Sequence, residues 1–346
     1  MVKISIILAV YNGAIDVEKC LESLTNQTYK NIEIVCIDDG STDNTLEILT
    51  RYAKRDERVR IFSQGDNKKL LLAIKRGVRE STGDYIMFID DDDWYELNAC
   101  ERIAEIAASK QPDIIHYGTS FYTKTPTDSK RRARLEKRLV SQDFEYNGGN
   151  TLRLDGIDYI YLWTRAVKAP VCKRAYDAIP DVELNFYSDS YACEIFHYFG
   201  KSIVSTSERL INHIYEYGVV AQMMTADKYA SYMNAVSIYE EGIKAFFTAQ
   251  CEIEELRYFE AESENRVKSC IRRWRDKVIN SDSVEAFNCL IEYYGADTVL
   301  PLLHEDYHTL RVKLKKCRMK LAKAKKRPKK KSIISRIKRK IKSLLK

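Results

Sequence analysis

Four consecutive carboxylates follow a short apolar stretch in the first third of the chain. Residues 85–89 have the composition of a buried strand, and Asp90 to Asp93 come directly after them with no basic residue among the four. Like charges packed this closely are unfavourable unless something cationic binds them. A divalent cation that also binds phosphate oxygens fits such a cluster. An acidic turn exposed to solvent is the alternative interpretation.

Two apolar stretches upstream also end in polar residues. Residues 4–10 end at Tyr11-Asn12-Gly13, and residues 32–37 end at Asp38-Asp39-Gly40-Ser41. In an open α/β sheet the C-terminal ends of parallel strands meet at one edge, where ligands bind. We therefore expect one site there, in which a carboxylate beside a Gly-Ser turn accepts hydrogen bonds from a nucleobase or a ribose. No Gly-x-Gly-x-x-Gly motif follows the first stretch, so a dinucleotide-binding Rossmann site is not expected.

The elements that position these clusters alternate along the chain. Strands are predicted over residues 4–10, 32–37, 59–62 and 84–89, with helices between them, and Asp16 is placed to cap the first helix. Residues 113–118 predict a further strand. This alternation is typical of an α/β fold with a parallel sheet.

Three motifs in this order resemble the family 2 inverting glycosyltransferases of the GT-A fold, of the type that builds bacterial cell-surface polysaccharides. The motifs occupy residues 5–12, 35–43 and 83–94. The resemblance covers residues 3–118 and continues more weakly to about residue 215. It implies a GT-A fold, which is a Rossmann-like, mostly parallel sheet with flanking helices, and an enzyme that transfers a sugar from a nucleotide sugar.

The same resemblance implies the roles of individual residues. Tyr11 and Asp39 would contact the uracil of a UDP-sugar, and Asp90 and Asp92 would surround the ribose, the diphosphate and a metal. Asp92 would be the metal ligand, with Mn²⁺ or Mg²⁺ as the cofactor. The full set of implied donor-binding residues is Ala9, Tyr11, Asp38, Asp39, Asp90 and Asp91.

One position departs from the family pattern. Ile74 stands where many relatives carry an arginine that points toward the donor. Lys68, Lys69 or Lys75 would then supply the positive charge, unless these lysines form an ordinary solvated helix face.

The acceptor half is implied by the resemblance at Asp189, which matches the general base of the family. A base is needed because an acceptor hydroxyl is a poor nucleophile until its proton is removed. The alternative is that Asp189 only caps the helix that follows. If Asp189 is not the base, the other candidates are Asp181, Glu183 and Glu194. For the lone His213 nearby, a structural role is expected more often than a ligand role.

The length of 346 residues predicts three segments: a GT-A domain over 1–220, a helical subdomain over 221–305 and a basic tail over 306–346. Nine cysteines, an odd number without a Cys-x-x-Cys pair, favour reduced thiols in the cytoplasm. We expect no signal peptide, since the first strand begins at once, and no membrane-spanning segment, since no apolar run is long enough.

The tail has a charge opposite to that of the remaining chain. Residues 311–346 contain 19 Lys and Arg and no Asp or Glu; since the whole chain carries +7, the rest carries −12. Apolar positions over 310–324 recur at spacings of three and four, which could pair with another copy of the chain. Residues 329–346 form an isoleucine stripe among basic residues, which predicts a helix on the anionic inner face of the cell membrane.

These features together predict a metal-dependent, inverting glycosyltransferase, peripheral on the membrane, that glycosylates a glycan or lipid-linked acceptor. Two other classes remain as alternatives. One is a sugar-nucleotide-binding protein without turnover. The other is a nucleic-acid-binding protein that uses the basic tail, although phosphate groups would attract only its basic residues and would not bind the isoleucine stripe.

Overall fold

The computed structural model describes residues 1–122, 142–149, 151–152, 154, 161–214, 223–306, 308 and 315. The strands are β1 (Ile4–Val10), β2 (Ile32–Asp38), β3 (Val59–Ser63), β4 (Tyr85–Ile89), β5 (Trp94–Tyr95), β6 (Ile114–Tyr122), β7 (Phe144–Asn147), β8 (Arg165–Lys168) and β9 (Ser202–Ile214). The helices are α1 (Val17–Thr25), α2 (Thr45–Ala53), α3 (Lys69–Glu80), α4 (Ala99–Lys110), α5 (Ala169–Ala178), α6 (Ser188–Phe199), α7 (Ala226–Ala249), α8 (Ile253–Ala261), α9 (Ser263–Lys277) and α10 (Ser283–Tyr294). The predicted seam over 310–324, apart from Lys315, and the predicted helix over 329–346 lie outside the described residues.

The strands named above form one sheet in the order β3-β2-β1-β4-β8-β6-β9-β5, and β7 pairs with β9. The first four strands are parallel, as predicted. β8 is antiparallel to both β4 and β6, and β5 and β7 are antiparallel to β9. The predicted α/β class is therefore confirmed, but the sheet is mixed. The antiparallel strands have two to four residues each, too few to carry a recognisable hydrophobic period.

The parallel half is apolar because it is covered on both faces. Every residue of β2 is buried. Helix α3 lies close to β1 at Gly77, where a Cβ would come within 2.5 Å of Ile7 Cγ2. A glycine is therefore required for α3 to lie this close to the strand that leads into the site. Asp16 occupies the N-cap position of α1, but its side chain makes no capping hydrogen bond.

A buried carboxylate links β1, β2 and β3 near the N-terminal ends of β1 and β2. Glu33 near the start of β2 accepts hydrogen bonds from Ser5 Oγ of β1 at 2.6 Å and from Arg60 of β3 at 2.8 Å, and also from the Thr82 backbone N–H. Burial alone would raise the pKa of Glu33, but these hydrogen bonds together lower it to about 2. The carboxylate is therefore stabilised in its ionised form.

The chain divides into two compact units, residues 1–221 with 239–246 and residues 222–238 with 247–346. The described residues of the second unit are mainly helical, as predicted, and its core includes Tyr229, whose hydroxyl donates to the Cys270 carbonyl at 3.0 Å. None of the helices in the described part of the chain is both long and apolar enough to cross a membrane. The predicted segment boundaries at residues 220 and 305 stay a prediction.

Candidate active site

The ends of β1, β2 and β4 place the predicted polar clusters at one edge of the sheet. Val10 pairs with Asp38, and Leu8 pairs with Ile89, the residue before the acidic run. A Cβ at Gly13 would lie only 1.9 Å from Asp91 Oδ2, so the loop after β1 touches the acidic run directly. The structure thus brings the clusters after β1 and β4 into contact, as the parallel order predicts.

A group of side chains that can hold a cation lies at this edge. One ligand atom each from Asp90, Asp93 and His213 lies within 4.8 Å of the other two, and this is the one such group among the residues the structure describes. The buried carboxylate of Asp93 makes hydrogen bonds with His213 Nδ1 at 2.7 Å and with the Ile214 N–H at 2.9 Å. The donor set of two carboxylates and one imidazole suits a divalent transition metal such as Mn²⁺.

Aromatic rings fix the orientation of His213. The Trp163 ring stacks on the imidazole with 4.5 Å between centroids and 17° between planes, and Phe121 meets the imidazole edge at 5.9 Å. Because Asp93 engages Nδ1, a metal would bind this imidazole through Nε2. The structural role expected for His213 stays a prediction, and the geometry adds a metal-ligand role as the alternative. The sequence signal was weak, because a single histidine near a strand end is common.

The acidic run carries an excess of negative charge. Burial, with the charge of Asp92, raises the pKa of Asp91 to about 7, and burial, with the charge of Asp93, raises the pKa of Asp92 to about 6. Burial and the neighbouring carboxylates raise the pKa of Asp90 well above its usual range. Burial would lower the pKa of His213, but the nearby carboxylates, Asp93 first, raise it instead. A bound cation would relieve this repulsion, so the electrostatics fit a metal site.

Asp189 lies in the first turn of α6, at the same edge. Its carboxylate accepts a hydrogen bond from Ser188 Oγ at 3.3 Å, and burial raises its pKa to about 6. The N-cap position belongs to Tyr187, which has φ 63°, and no side chain caps this helix. The structure therefore does not support the capping alternative. Asp189 and Asp90 both line one small cavity, whose other walls include Ala9, Ile74, Leu162 and Trp163.

The other candidate bases are less suited to proton transfer at this edge. Asp181 is exposed and forms an ion pair with Lys75 at 2.5 Å. Glu194 accepts a hydrogen bond from the Tyr239 hydroxyl at 2.8 Å. Glu183 is exposed. None of these three lines the cavity that contains Asp90 and Asp189.

The two aspartates after β2 take part in local structure. Asp38 accepts hydrogen bonds from the Ser41 N–H at 3.2 Å and from Ser63 Oγ at 3.1 Å. Asp39 Oδ1 accepts from Gln64 Nε2 at 2.8 Å and from the Lys68 N–H at 2.7 Å, while burial raises the pKa of Asp39. These bonds hold the loop after β3 against the end of β2. Contact of Asp39 with a nucleobase stays a prediction.

The loop after β1 is fixed to the loop after β2. The Asn12 N–H donates to Ser41 Oγ at 3.0 Å, and Asn12 Oδ1 accepts from the Thr42 N–H at 2.8 Å. Tyr11 beside this link is 46% exposed, so its ring is accessible to a ligand. Ala9, at the end of β1, lies in the cavity wall.

Ile74, which departs from the family pattern, lies in the wall of this cavity. Ile74 is buried and lines the cavity with Asp90 and Asp189, so an apolar side chain occupies the family's arginine position. Lys75 instead donates to the Ile179 carbonyl at 2.6 Å and pairs with Asp181, and Lys68 Nζ lies 3.9 Å from Asp66. Lys75 is thus engaged away from the acidic run.

Asp92, the metal ligand that the resemblance implies, is outside the group of Asp90, Asp93 and His213. Burial and the charge of Asp93 raise the pKa of Asp92, and the charge of His213 opposes this shift. The individual roles of Ala9, Tyr11, Asp38, Asp39, Asp90, Asp91, Asp92 and Asp189 stay predictions.

Comparison with known proteins gives the family. Residues 5–162 match the sequence model of Glycosyl transferase family 2. EpsJ of Bacillus subtilis (strain 168), described as an uncharacterized glycosyltransferase, is 38% identical over 191 residues, which are 54% of this chain and 54% of EpsJ. The chain spans about half or less of the length of curated relatives that it matches, EpsJ among them.

Two solved structures share the fold. Residues 1–349 of TarS from S. aureus, in complex with UDP-GlcNAc, superpose with a TM-score of 0.58 at 16% identity, covering 89% of this chain and 92% of that one. The mannosyltransferase PcManGT from Pyrobaculum calidifontis, in complex with GDP-Man and Mn²⁺, superposes with a TM-score of 0.51 at 13% identity, covering 89% and 81%. At these identities the likeness concerns the fold. Residues 5–162 therefore form a family 2 glycosyltransferase domain, in agreement with the predicted family and enzyme class, and the predicted GT-A-like fold class is confirmed.

Proposed function

We propose that this protein transfers a sugar from a UDP-sugar to a hydroxyl group, with inversion at the anomeric carbon and with a divalent cation. The observation that supports this most is the position of Asp189. Its carboxylate shares one cavity with Asp90, so a base and a cation site lie at the same edge of the sheet. Transfer in one in-line step needs these two groups on either side of the anomeric carbon.

The reaction follows from these positions. Asp189 accepts the proton of the acceptor hydroxyl as its oxygen forms a bond to the anomeric carbon, and the bond from that carbon to the diphosphate oxygen breaks. The half-buried Asp189, with its pKa raised to about 6, is ionised at neutral pH and still basic enough to take a proton. A cation held by Asp90, Asp93 and His213, with Asp92 beside them, would stabilise the charge that develops on the leaving diphosphate.

The cation is proposed to be Mn²⁺ rather than Mg²⁺. Mg²⁺ binds almost entirely through oxygen ligands in near-octahedral geometry, whereas Mn²⁺ also accepts an imidazole. The His213 ring is oriented by Asp93 and Trp163, as metal-binding histidines commonly are. The PcManGT structure contains Mn²⁺, which agrees with this choice.

The identities of the sugar donor and of the acceptor are proposed from the sequence motifs and from the relatives. UDP is supported by the motifs at Tyr11 and Asp39 and by the UDP-GlcNAc in the TarS structure. The predicted basic helix over 329–346 supports a lipid-linked or glycan acceptor at the cytoplasmic face of the membrane, in surface polysaccharide synthesis. A further proposal is that residues 310–324 pair two copies of the chain.

The first experiment is a thermal-shift screen of UDP-, GDP- and dTDP-sugars with Mn²⁺, followed by transfer assays with the donor that stabilises the protein. In the second, Asp189→Asn should keep the affinity for UDP while the transfer rate falls about a hundredfold or more, the usual effect of removing a general base. Near-normal transfer by a folded Asp189→Asn variant would reject the base assignment. Donor binding without hydrolysis or transfer by the native chain would instead indicate a binding protein.

A further inference from the structure

A short turn before β8 lies beside both Asp189, the proposed base, and His213, a proposed metal ligand. The turn contains the 3₁₀ helix Leu162–Thr164. Its Leu162 and Trp163 line the same cavity as Asp189, and the Trp163 ring stacks on His213. The position of this turn therefore decides where the proposed base and one proposed metal ligand are held.

Arg165 fixes this turn through hydrogen bonds from its buried side chain. Its side chain is fully buried, and one guanidinium nitrogen donates to the Tyr161 carbonyl and, at 2.8 Å, to Thr164 Oγ1. Its Nε donates to His197 Nε2 at 3.0 Å. A single guanidinium thus joins both ends of the turn to a histidine of α6, the helix that carries Asp189.

His197 is suited to act as an acceptor in this bond. Burial lowers the pKa of His197 well below its usual range, so its ring is neutral. Since Nε2 accepts from Arg165, the ring proton is on Nδ1, which lies 2.8 Å from Thr151 Oγ1. Thr151 in turn donates to the His197 carbonyl at 3.1 Å. The acceptor is therefore itself fixed, two turns after Asp189 on the same helix.

We propose that Arg165 is a positioning residue for sugar transfer: it fixes the 161–164 turn to α6, so that Leu162 and Trp163 keep the cavity wall in place against Asp189. This proposal rests on the proposed function, because it assumes that Asp189 is the base. Arginine is required because its planar guanidinium reaches three acceptors at once, whereas lysine offers a single ammonium group at a different position. A shift of about 1 Å in a reacting group can cost about a hundredfold in rate.

Arg165→Lys tests the proposal because it keeps the charge and loses the geometry. We expect kcat for transfer to fall about tenfold or more while the Kd for UDP with Mn²⁺ stays within about twofold. In an Asp189→Asn background, Arg165→Lys should lower kcat no further, since the two residues act as one unit. The matched control is Glu33→Gln, which disturbs another buried ionic group at the opposite edge of the sheet. An unchanged kcat in Arg165→Lys, or an equal loss of kcat in Glu33→Gln at an equal loss of Tm, would overturn the proposal.

Hydrogen exchange gives a readout that needs no activity. The amides of residues 161–165 should exchange faster in Arg165→Lys than in the native chain, while those of β1 stay unchanged. Equal exchange at the turn would refute the positioning role, whatever the reaction proves to be. Faster exchange with full transfer by Asp189→Asn would instead reject the base assignment and, with it, the catalytic part of this proposal.

Discussion

Replacement of Asp91 by asparagine should make the metal-free protein more stable. Burial and the charge of Asp92 raise the pKa of Asp91 to about 7, so the folded state disfavours the ionised form. Between the unfolded pKa of about 4 and the folded pKa, the folded state binds more protons than the unfolded state. The contribution of Asp91 to stability therefore falls as the pH rises through this window. An asparagine side chain does not ionise, so the loss should disappear in the variant.

The size of the effect follows from the two pKa values. A folded pKa of about 7 against an ordinary value of 3.8 corresponds to up to about 4 kcal/mol at pH 8, where the carboxyl of the native chain is ionised in both states. At pH 5 the folded carboxyl is still protonated, and the expected gain is only about 2 kcal/mol. The pH dependence thus separates a charge effect from a packing effect.

Urea denaturation in EDTA, at pH 5 and pH 8, measures this gain. Asp66→Asn is the matched control, because the Asp66 side chain is 88% exposed and its substitution should change stability by less than about 0.5 kcal/mol. Saturating Mn²⁺ with UDP should reduce the gain of Asp91→Asn, since the cation compensates the charge in the native chain. Lower stability of Asp91→Asn at pH 8, or an equal gain at both pH values, would refute the argument.

Three other predictions test separate parts of the molecule. Glu33→Gln should lower the free energy of unfolding by up to about 3 kcal/mol at pH 7, because the lowered pKa of Glu33 stabilises the native chain. This difference between the native chain and the variant should shrink as the pH falls from about 4.5 toward about 2, the lowered pKa. Urea unfolding at several pH values measures it, and a difference that does not change with pH would contradict the prediction. His213→Phe should keep the stacking on Trp163 but weaken Mn²⁺ binding about tenfold or more in calorimetry, with Asp92→Asn measured beside it, and an unchanged affinity in either variant would remove that residue from the ligand set. Deletion of residues 329–346 should abolish cosedimentation with anionic liposomes without lowering the affinity for UDP, since each Lys or Arg near such a surface contributes about 1 kcal/mol; equal binding of both proteins would reject the membrane role.

The sequence was most informative where a strand and its functional end are contiguous. β1, β2 and β4 are mostly apolar because helices cover both faces, and a polar cluster comes directly at the end of each, with aspartates at the ends of β2 and β4. Parallel pairing then requires these ends to share an edge. Asp189 was found through family resemblance, but its conformation depends on Tyr187, whose positive φ no residue pattern indicates.

The contacts between distant segments could not be predicted in the same way. β8 begins with a buried arginine, and a charged residue in a four-residue strand gives no apolar period. The pairing of His213 with Asp93 joins residues 120 positions apart, and nothing local to either residue requires it. Such contacts are determined by the tertiary structure, so they cannot be predicted from a single sequence.

The insertion of β8 between β4 and β6 has a consequence for biosynthesis. Until residue 168 has left the ribosome, the apolar strands β4 and β6 cannot reach their shared partner, and unpaired strands of this kind associate with other chains. A fragment cut at residue 162, where the family match ends, would keep those edges open permanently and would lack both Asp189 and His213. An expressed fragment that keeps the whole site therefore needs to extend at least through Ile214, and truncations before residue 168 should accumulate in inclusion bodies.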